Sequence, residues 1–331
     1  MNIAIVGCTG MVGRKFIEVV QERNLVADEF YLYASAKSAG TKITVFGKEY
    51  TVLELTESNI TDKKIDIALF SAGGAVSRDF APVFAGIGAI VVDNSSQWRM
   101  DENVPLVVPE VNEEDVLWNK GIIANPNCST IQAMLVLKPL DDAFGIKRVV
   151  YSTYQACSGA GVKGYNDLKN GIDGKAPEKF PVRIFSNCIP HIDVFTETGY
   201  TKEEEKMMNE TRKILHRPDM KITATTVRVP VFNSHSESIN IEFNSPVSVD
   251  KVREILKASP NVVVLDDPAN SVYPTVVDAD GKDEVFVGRI REDRSVEYGI
   301  NLWCVADNIR KGAATNAVQI AQSLIKLGLV K

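Results

Sequence analysis

One cysteine stands where a thiol could do chemistry. Cys128 follows Asn125-Pro126-Asn127 at the end of an apolar run, and it opens a stretch in which Ile131, Met134 and Leu135 carry helical spacing. A sulfur at a helix N-terminus faces exposed amides and the positive end of the helix dipole, and both favour thiolate over thiol. Cys8, Cys157, Cys188 and Cys304 take the commonest reading of a cysteine and are expected to be buried, structural thiols. A nucleophilic sulfur also needs a proton partner, for which histidine is the commonest choice. The chain has three. His216, in Leu215-His216-Arg217-Pro218, reads as an exposed helix end, and His191, in Ile189-Pro190-His191-Ile192, has a structural reading. His235 lies at a hydroxyl-rich strand junction, Asn233-Ser234-His235-Ser236, seven residues after Arg228. Spacing alone makes it the leading candidate and leaves a structural role open.

A second constellation is Gly7-Cys8-Thr9-Gly10-Met11-Val12-Gly13, directly after an apolar strand pattern and ahead of a helical one. Glycines there let the backbone turn tightly and approach a pyrophosphate, which the helix amides then face. The spacing GxxGxxG is a variant of the dinucleotide fingerprint, and position gives it its force. An acid at the end of the second strand would hold a ribose 2′-hydroxyl, but that strand runs out into Ser35-Ala36-Lys37-Ser38 with no acid. Lys37 and Ser38 suit a 2′-phosphate, so the expected cofactor is NADP. A thiolate beside a nicotinamide defines a reaction class: the sulfur takes an acyl group that hydride reduces, or adds to an aldehyde that loses hydride.

The elements that must position these residues come in two rhythms. Up to about residue 124, short apolar runs without polar alternation (3–6, 30–34, 65–70, 89–92 and 121–124) are separated by helical patterns, the first carrying Val12, Phe16, Val19 and Val20. Such runs joined by helices predict a doubly wound, mostly parallel α/β sheet. Beyond residue 147 longer strands dominate, at 148–156, 223–229, 236–243, 284–290 and 295–306, the last two joined through Asp293-Arg294 as a hairpin. Helices are expected at 201–215 and, capped by Ser248, at 249–258. This is the pattern of an α+β domain with a largely antiparallel sheet. The expected organisation is a cofactor domain over 1–127, completed by the C-terminal helix 308–331, and a catalytic and dimerisation domain over 128–307.

Composition bounds the rest. Of 331 residues, 45% are apolar and 24% charged, which is ordinary globular usage. A net charge of −6 offers no general attraction to polyanions, so no nucleic-acid partner is expected. No apolar run approaches the ~20 residues of a membrane span. Five scattered cysteines without a CxxC pair, and only three histidines, argue for reduced thiols and against a metal site. The opening Met1-Asn2-Ile3-Ala4-Ile5-Val6 enters a strand at once, so no targeting segment and a cytoplasmic location are expected.

Nine pieces together resemble the aspartate-semialdehyde dehydrogenase family: 7–13, 35–40, 94–99 (NSSQWR), 125–130 (NPNCST), 155–161 (QACSGAG), 187–193 (NCIPHID), 200–206 (YTKEEEK), 228–238 (RVPVFNSHSES) and 308–317 (NIRKGAATNA). They span essentially the whole chain, and NPNCST with the Arg-to-His segment is the most specific of them. The resemblance implies a Rossmann-type cofactor domain and NADP-dependent conversion of L-aspartyl 4-phosphate to L-aspartate 4-semialdehyde through a cysteine thioester. It implies Cys128 as nucleophile, His235 as acid/base and Gln155 as the residue orienting the substrate. It implies Arg228 for the substrate carboxylate, Glu204 for its ammonium, and Arg99, Lys206 and Asn127 for phosphate. Gly7, Thr9, Gly10, Met11, Val12, Gly13, Lys37 and Ser38 would hold NADP, with Ser158, Gly159 and Asn308 near the nicotinamide half. By composition alone, Glu203-Glu204-Glu205-Lys206 is a solvated helix start and Arg99 beside Trp98 is surface packing. The resemblance also implies a homodimer or homotetramer. Two rival readings are an N-acetyl-γ-glutamyl-phosphate reductase and a non-catalytic NADP-binding paralogue.

Overall fold

Apolar runs with no polar face need cover on both sides, and the first part of the chain provides it. The computed structural model describes residues 1–330, in two units: Met1–Asn127 with the tail from Ala313 onward, and Cys128–Gly312. The first unit runs β1 (Asn2–Val6), α1 (Met11–Glu22), β2 (Glu29–Ala34), β3 (Lys42–Val45), β4 (Lys48–Thr51), β5 (Leu53–Glu54), α2 (Glu57–Thr61), β6 (Ile67–Phe70), α3 (Gly74–Gly86), β7 (Ile90–Asp93), α4 (Pro109–Asn112) and β8 (Ile122–Ala124). Six of these strands form a sheet in the order β5-β2-β1-β6-β7-β8, with every pairing parallel. The order reverses on either side of β1, so the turn after it opens at the switch point where such sheets bind ligands. The C-terminal helix (Asn316–Lys326) buries Ala317, Val318, Ile320, Ala321 and Leu324 in the same core as Ile3, Ile5, Leu69 and Val92.

Two local features depart from the sequence reading. The segment after Lys37 holds a hairpin, β3–β4, turned through Phe46 and Gly47 with φ of 48° and 77°. Its sign was the alternation of Lys42-Ile43-Thr44-Val45 ahead of a glycine. The predicted helix from 308 is also not continuous. Arg310–Thr315 is a wide, π-type turn in which the Gly312 amide reaches the Asp307 carbonyl at 3.0 Å.

The second unit begins with α5 (Cys128–Phe144) and β9 (Ile146–Gln155), followed by α6 (Gly161–Ile172), α7 (Lys202–Ile214), β10 (Lys221–Arg228), β11 (His235–Phe243), α8 (Val249–Ala258), β12 (Val262–Val264), α9 (Val276–Ala279), β13 (Val285–Glu292) and β14 (Gly299–Ala306). Its sheet runs β10-β9-β11-β14-β13-β12. The inner pairings are antiparallel, but β10 lies parallel to β9 and β12 parallel to β13, so the sheet is mixed. Parallel neighbours need long crossovers, and the stretch holding α6 and α7 between β9 and β10 supplies one. The hairpin of β13 and β14 is present, though β14 starts at Gly299, because Asp293 accepts the Ser295 amide at 2.9 Å and holds the turn open. Along β9, Val149, Tyr151, Thr153 and Gln155 are buried, Tyr151 and Gln155 bonding to Thr211 and Glu203 of α7, while Tyr154 is exposed and packs at a tilt against Trp303 with ring centres 5.3 Å apart. Among the described residues no helix is long and apolar enough to cross a membrane.

Candidate active site

The second unit brings a nucleophile and its partner together from distant parts of the chain. Cys128 is the first residue of α5, and His235 the first of β11. Their side chains meet with Sγ 3.2 Å from Nε2. The ring is wholly buried, and its Nδ1 accepts the Ala156 amide at 2.9 Å. A backbone N–H can only donate, so Nδ1 carries the lone pair and the neutral ring has its proton on Nε2, facing the sulfur. Burial first, and the Arg228 charge second, push the imidazole down to about 3. His235 therefore stands beside the sulfur as an uncharged hydrogen-bond donor. At Gly312 an added Cβ would come within 3.0 Å of the Cys128 Cβ, so the absence of a side chain there makes room for the cysteine.

Arg228, at the end of β10, shares this site. Its Nη1 donates to the Ala156 carbonyl at 2.5 Å, and its buried Nε has no hydrogen-bond partner among the described residues. A side chain at Gly159 would approach Nη1 within 2.9 Å and the His235 ring within 3.2 Å, so glycine lets the three groups converge. Gln155 donates from Nε2 to Glu203 Oε1 at 3.1 Å and accepts the Thr153 hydroxyl at 3.0 Å. Lys206 reaches Glu203 at 3.2 Å and Asp193 at 2.7 Å. Asn308 accepts the Ser234 amide at 2.9 Å and donates to Ser158 Oγ at 3.0 Å, which steadies the backbone leading into His235.

One expectation is overturned. Glu204 does not face the site: its Oε2 accepts the Thr201 amide at 2.7 Å in a capping box and its Oε1 accepts the Thr226 amide at 3.0 Å. With both oxygens committed to backbone, it closes the start of α7 and ties it to β10. Glu203, one residue earlier, holds the place beside Gln155, Lys206 and the charge of Arg228. The signal was present in Thr201-Lys202-Glu203-Glu204, where Thr followed three residues later by Glu is the capping-box pattern, and Glu203 with Lys206 is an i,i+3 pair. Nor is Glu203 or Glu204 solvated, both being buried.

In the first unit, Gly7 has φ 82°, and a Cβ there would lie 2.3 Å from the Ser71 carbonyl oxygen. A Cβ at Gly13 would fall 2.0 Å from the Gly7 oxygen. The turn is therefore closed to side chains at both ends, and α1 begins after Gly10 with no side-chain cap on its amides. Beside it opens a cavity of about 400 Å³ lined by Gly7, Thr9, Gly10, Ser35, Ser71 and Phe80. Strand ends, bare amides and an apolar wall fit a dinucleotide. Ser71 and Phe80 went unmarked in the sequence, because neither belongs to a glycine-spaced motif. Lys37 is exposed, and the Ser38 amide closes a turn on Ser35 at 2.9 Å. Met11 and Val12 lie in the first turn of α1. Arg99 is buried, not a surface residue, and donates to the carbonyls of Asn125 at 2.9 Å and Asn94 at 3.0 Å; Asn127 is buried too.

The chain as a whole is similar to known proteins. Residues 2–118 match the model for the semialdehyde dehydrogenase NAD binding domain, and residues 137–311 the semialdehyde dehydrogenase dimerisation domain. The chain is 58% identical to the aspartate-semialdehyde dehydrogenase of Aquifex aeolicus, over 99% of each chain. It is similar to the solved aspartate semialdehyde dehydrogenase II of Vibrio cholerae complexed with ASA, at 46% identity, TM-score 0.93 and 98% of each chain. The solved Candida albicans enzyme with NADP matches at 27% identity and TM-score 0.76, again over 98% of each chain.

Proposed function

Because the chain belongs to the aspartate-semialdehyde dehydrogenase family, we propose that its sulfur, imidazole and guanidinium carry out the reductive dephosphorylation of L-aspartyl 4-phosphate to L-aspartate 4-semialdehyde. The observation that carries the reading is the 3.2 Å approach of His235 Nε2 to Cys128 Sγ beside Arg228. Cys128 attacks the acyl carbon and phosphate leaves, giving a thioester. NADPH supplies the hydride that reduces it. The resulting tetrahedral oxyanion accepts a hydrogen bond from the His235 Nε2–H, and its lone pair re-forms the carbonyl as the carbon–sulfur bond breaks, releasing the aldehyde and returning Cys128 as thiolate. With Nδ1 occupied by the Ala156 amide and the ring uncharged, His235 is set up to act through its Nε2–H as a hydrogen-bond donor.

Arg228 binds the substrate carboxylate, for which its planar fork is suited. Glu203, in place of Glu204, receives the α-ammonium. Gln155, held between Thr153 and Glu203, orients the acyl group. Lys206, with Arg99 and Asn127, takes the phosphate. Gly7, Thr9, Gly10, Met11, Val12, Gly13, Lys37 and Ser38 hold NADP, and Ser158, Gly159 and Asn308 serve its nicotinamide half. A free α-ammonium needs an acid, whereas an acetylated nitrogen does not, so buried Glu203 favours the aspartyl over the N-acetylglutamyl substrate. The protein works as a homodimer in the cytoplasm, paired through the open face of its second sheet.

The test is phosphate-dependent NADP reduction with aspartate semialdehyde, repeated with NAD and with the N-acetylglutamyl analogue. Cys128→Ser is expected to lose at least about 10³-fold in kcat with NADP affinity unchanged. A wild-type chain as inert as the variant would identify it as a binding paralogue instead.

A further inference from the structure

Outside the reaction scheme, Phe180 lies against Arg228 and Asp167 holds the backbone of Phe180. Between α6 and α7, residues 173–201 hold no helix or strand, only isolated bridges, yet the connection is pinned at two places. Asp167 on α6, 5% exposed, accepts the amides of Glu178, Lys179 and Phe180 at 2.7, 2.8 and 2.9 Å. Farther on, Ile189 exchanges both backbone hydrogen bonds with Arg228 itself, at 2.9 and 2.8 Å. Between the anchors Ile184 is buried, packed with Cys157, Leu168 and Ile189. The Phe180 ring rests where Gly164 leaves space, since a Cβ there would come 3.1 Å from its tip, and the ring centre lies 5.8 Å from the Arg228 guanidinium carbon. Burial alone would raise the Asp167 carboxyl, but the three amides outweigh it and keep the group below the usual carboxylate range. It is therefore the anion that these amides need at neutral pH.

From this geometry we infer that the strap 178–189 sets substrate recognition, with Phe180 covering the Arg228 guanidinium and Asp167 fixing Phe180 in place. An aromatic ring over a guanidinium attracts the cation and shields it from water while leaving its in-plane N–H groups available. The partnerless Nε of Arg228 is such a group. Phe180 and Asp167 are thus positioning residues for the amino-acid end of the substrate, and this rests on Arg228 being the carboxylate anchor.

Steady-state kinetics with aspartate semialdehyde, phosphate and NADP tests the inference. Phe180→Leu and Asp167→Asn should each raise KM for the semialdehyde about tenfold, with kcat within about twofold. KM for NADP should hold in both and Tm in Phe180→Leu, and Phe180→Tyr, which keeps the ring, should show the wild-type KM. An unchanged semialdehyde KM in both variants overturns the inference. So does a joint loss of kcat, NADP affinity and Tm, which would mark general structural damage. Arg228→Lys is the control. If it leaves the semialdehyde KM alone, the anchor reading itself fails; if it raises KM while the strap variants do not, only the strap inference fails.

Discussion

At the scale of single residues, the chemistry depends on which atom each side chain spends on structure. His235 has given Nδ1 to a backbone amide and is held uncharged in the interior. An unfolded histidine binds a proton near pH 6.5, but this one does so only at about 3. Between those values the unfolded state carries the extra proton, so stability falls as pH drops from about 6.5 toward 3, with a slope approaching about 1.4 kcal/mol per pH unit. Urea titrations at pH 4 to 7 should show that slope reduced in His235→Gln. The adjacent acids separate in the same way. Glu203→Gln should raise the semialdehyde KM about tenfold or more and leave Tm nearly unchanged. Glu204→Gln should instead lower Tm, because it weakens a cap whose loss typically costs about 1 kcal/mol. Cys128 stood out by residue type and position and His235 was the leading histidine by spacing, whereas Arg228 was marked by the family resemblance. The choice between Glu203 and Glu204 was drawn for Glu204, because in a run of like charges the phase is missed unless the capping box is used to fix the helix start.

At the scale of elements, each reactive group sits at an end: Cys128 opens α5, His235 opens β11, Arg228 closes β10 and Gln155 closes β9. Neighbouring strand ends place these groups within a few ångströms, and the pairing of Arg228 with Gln155 across β10 and β9 shows how register does it. That parallel pairing was illegible, since strand patterns reveal burial and not the direction of a partner reached through a long crossover. The glycine turn after β1 was legible because steric exclusion leaves few alternatives. Gly13→Ala would push a methyl into the Gly7 carbonyl, whereas Gly10→Ala meets that oxygen only at 3.3 Å. The first should raise the NADP KM more than about tenfold and lower Tm, and the second should do much less on both measures.

At the scale of the whole molecule, the two rhythms of the sequence correspond to two sheets of different character. The alternation in β9 and β14 leaves one face of the second sheet open, with Tyr154 39% exposed over Trp303. A charge placed there by Tyr154→Glu should shift sedimentation from dimer toward monomer, and a wild-type monomer would refute the pairing. Oligomer number was not legible, because an open sheet face does not state how many copies cover it. The C-terminal helix was readable from its amphipathic spacing, while the wide turn before it left no mark in composition.

The cysteines give the molecule a chemical fingerprint. Cys8 and Cys157 are buried, with thiols pushed up to about 11, and Cys304 is sealed beneath Gln132. That leaves Cys188, which is exposed and not the buried thiol expected of it, and Cys128, which is partly so. A gentle alkylating reagent should therefore add two adducts to the native protein, and a Cys188→Ser chain should be left with one addressable sulfur, turning mass spectrometry of the intact enzyme into a direct count of competent active sites.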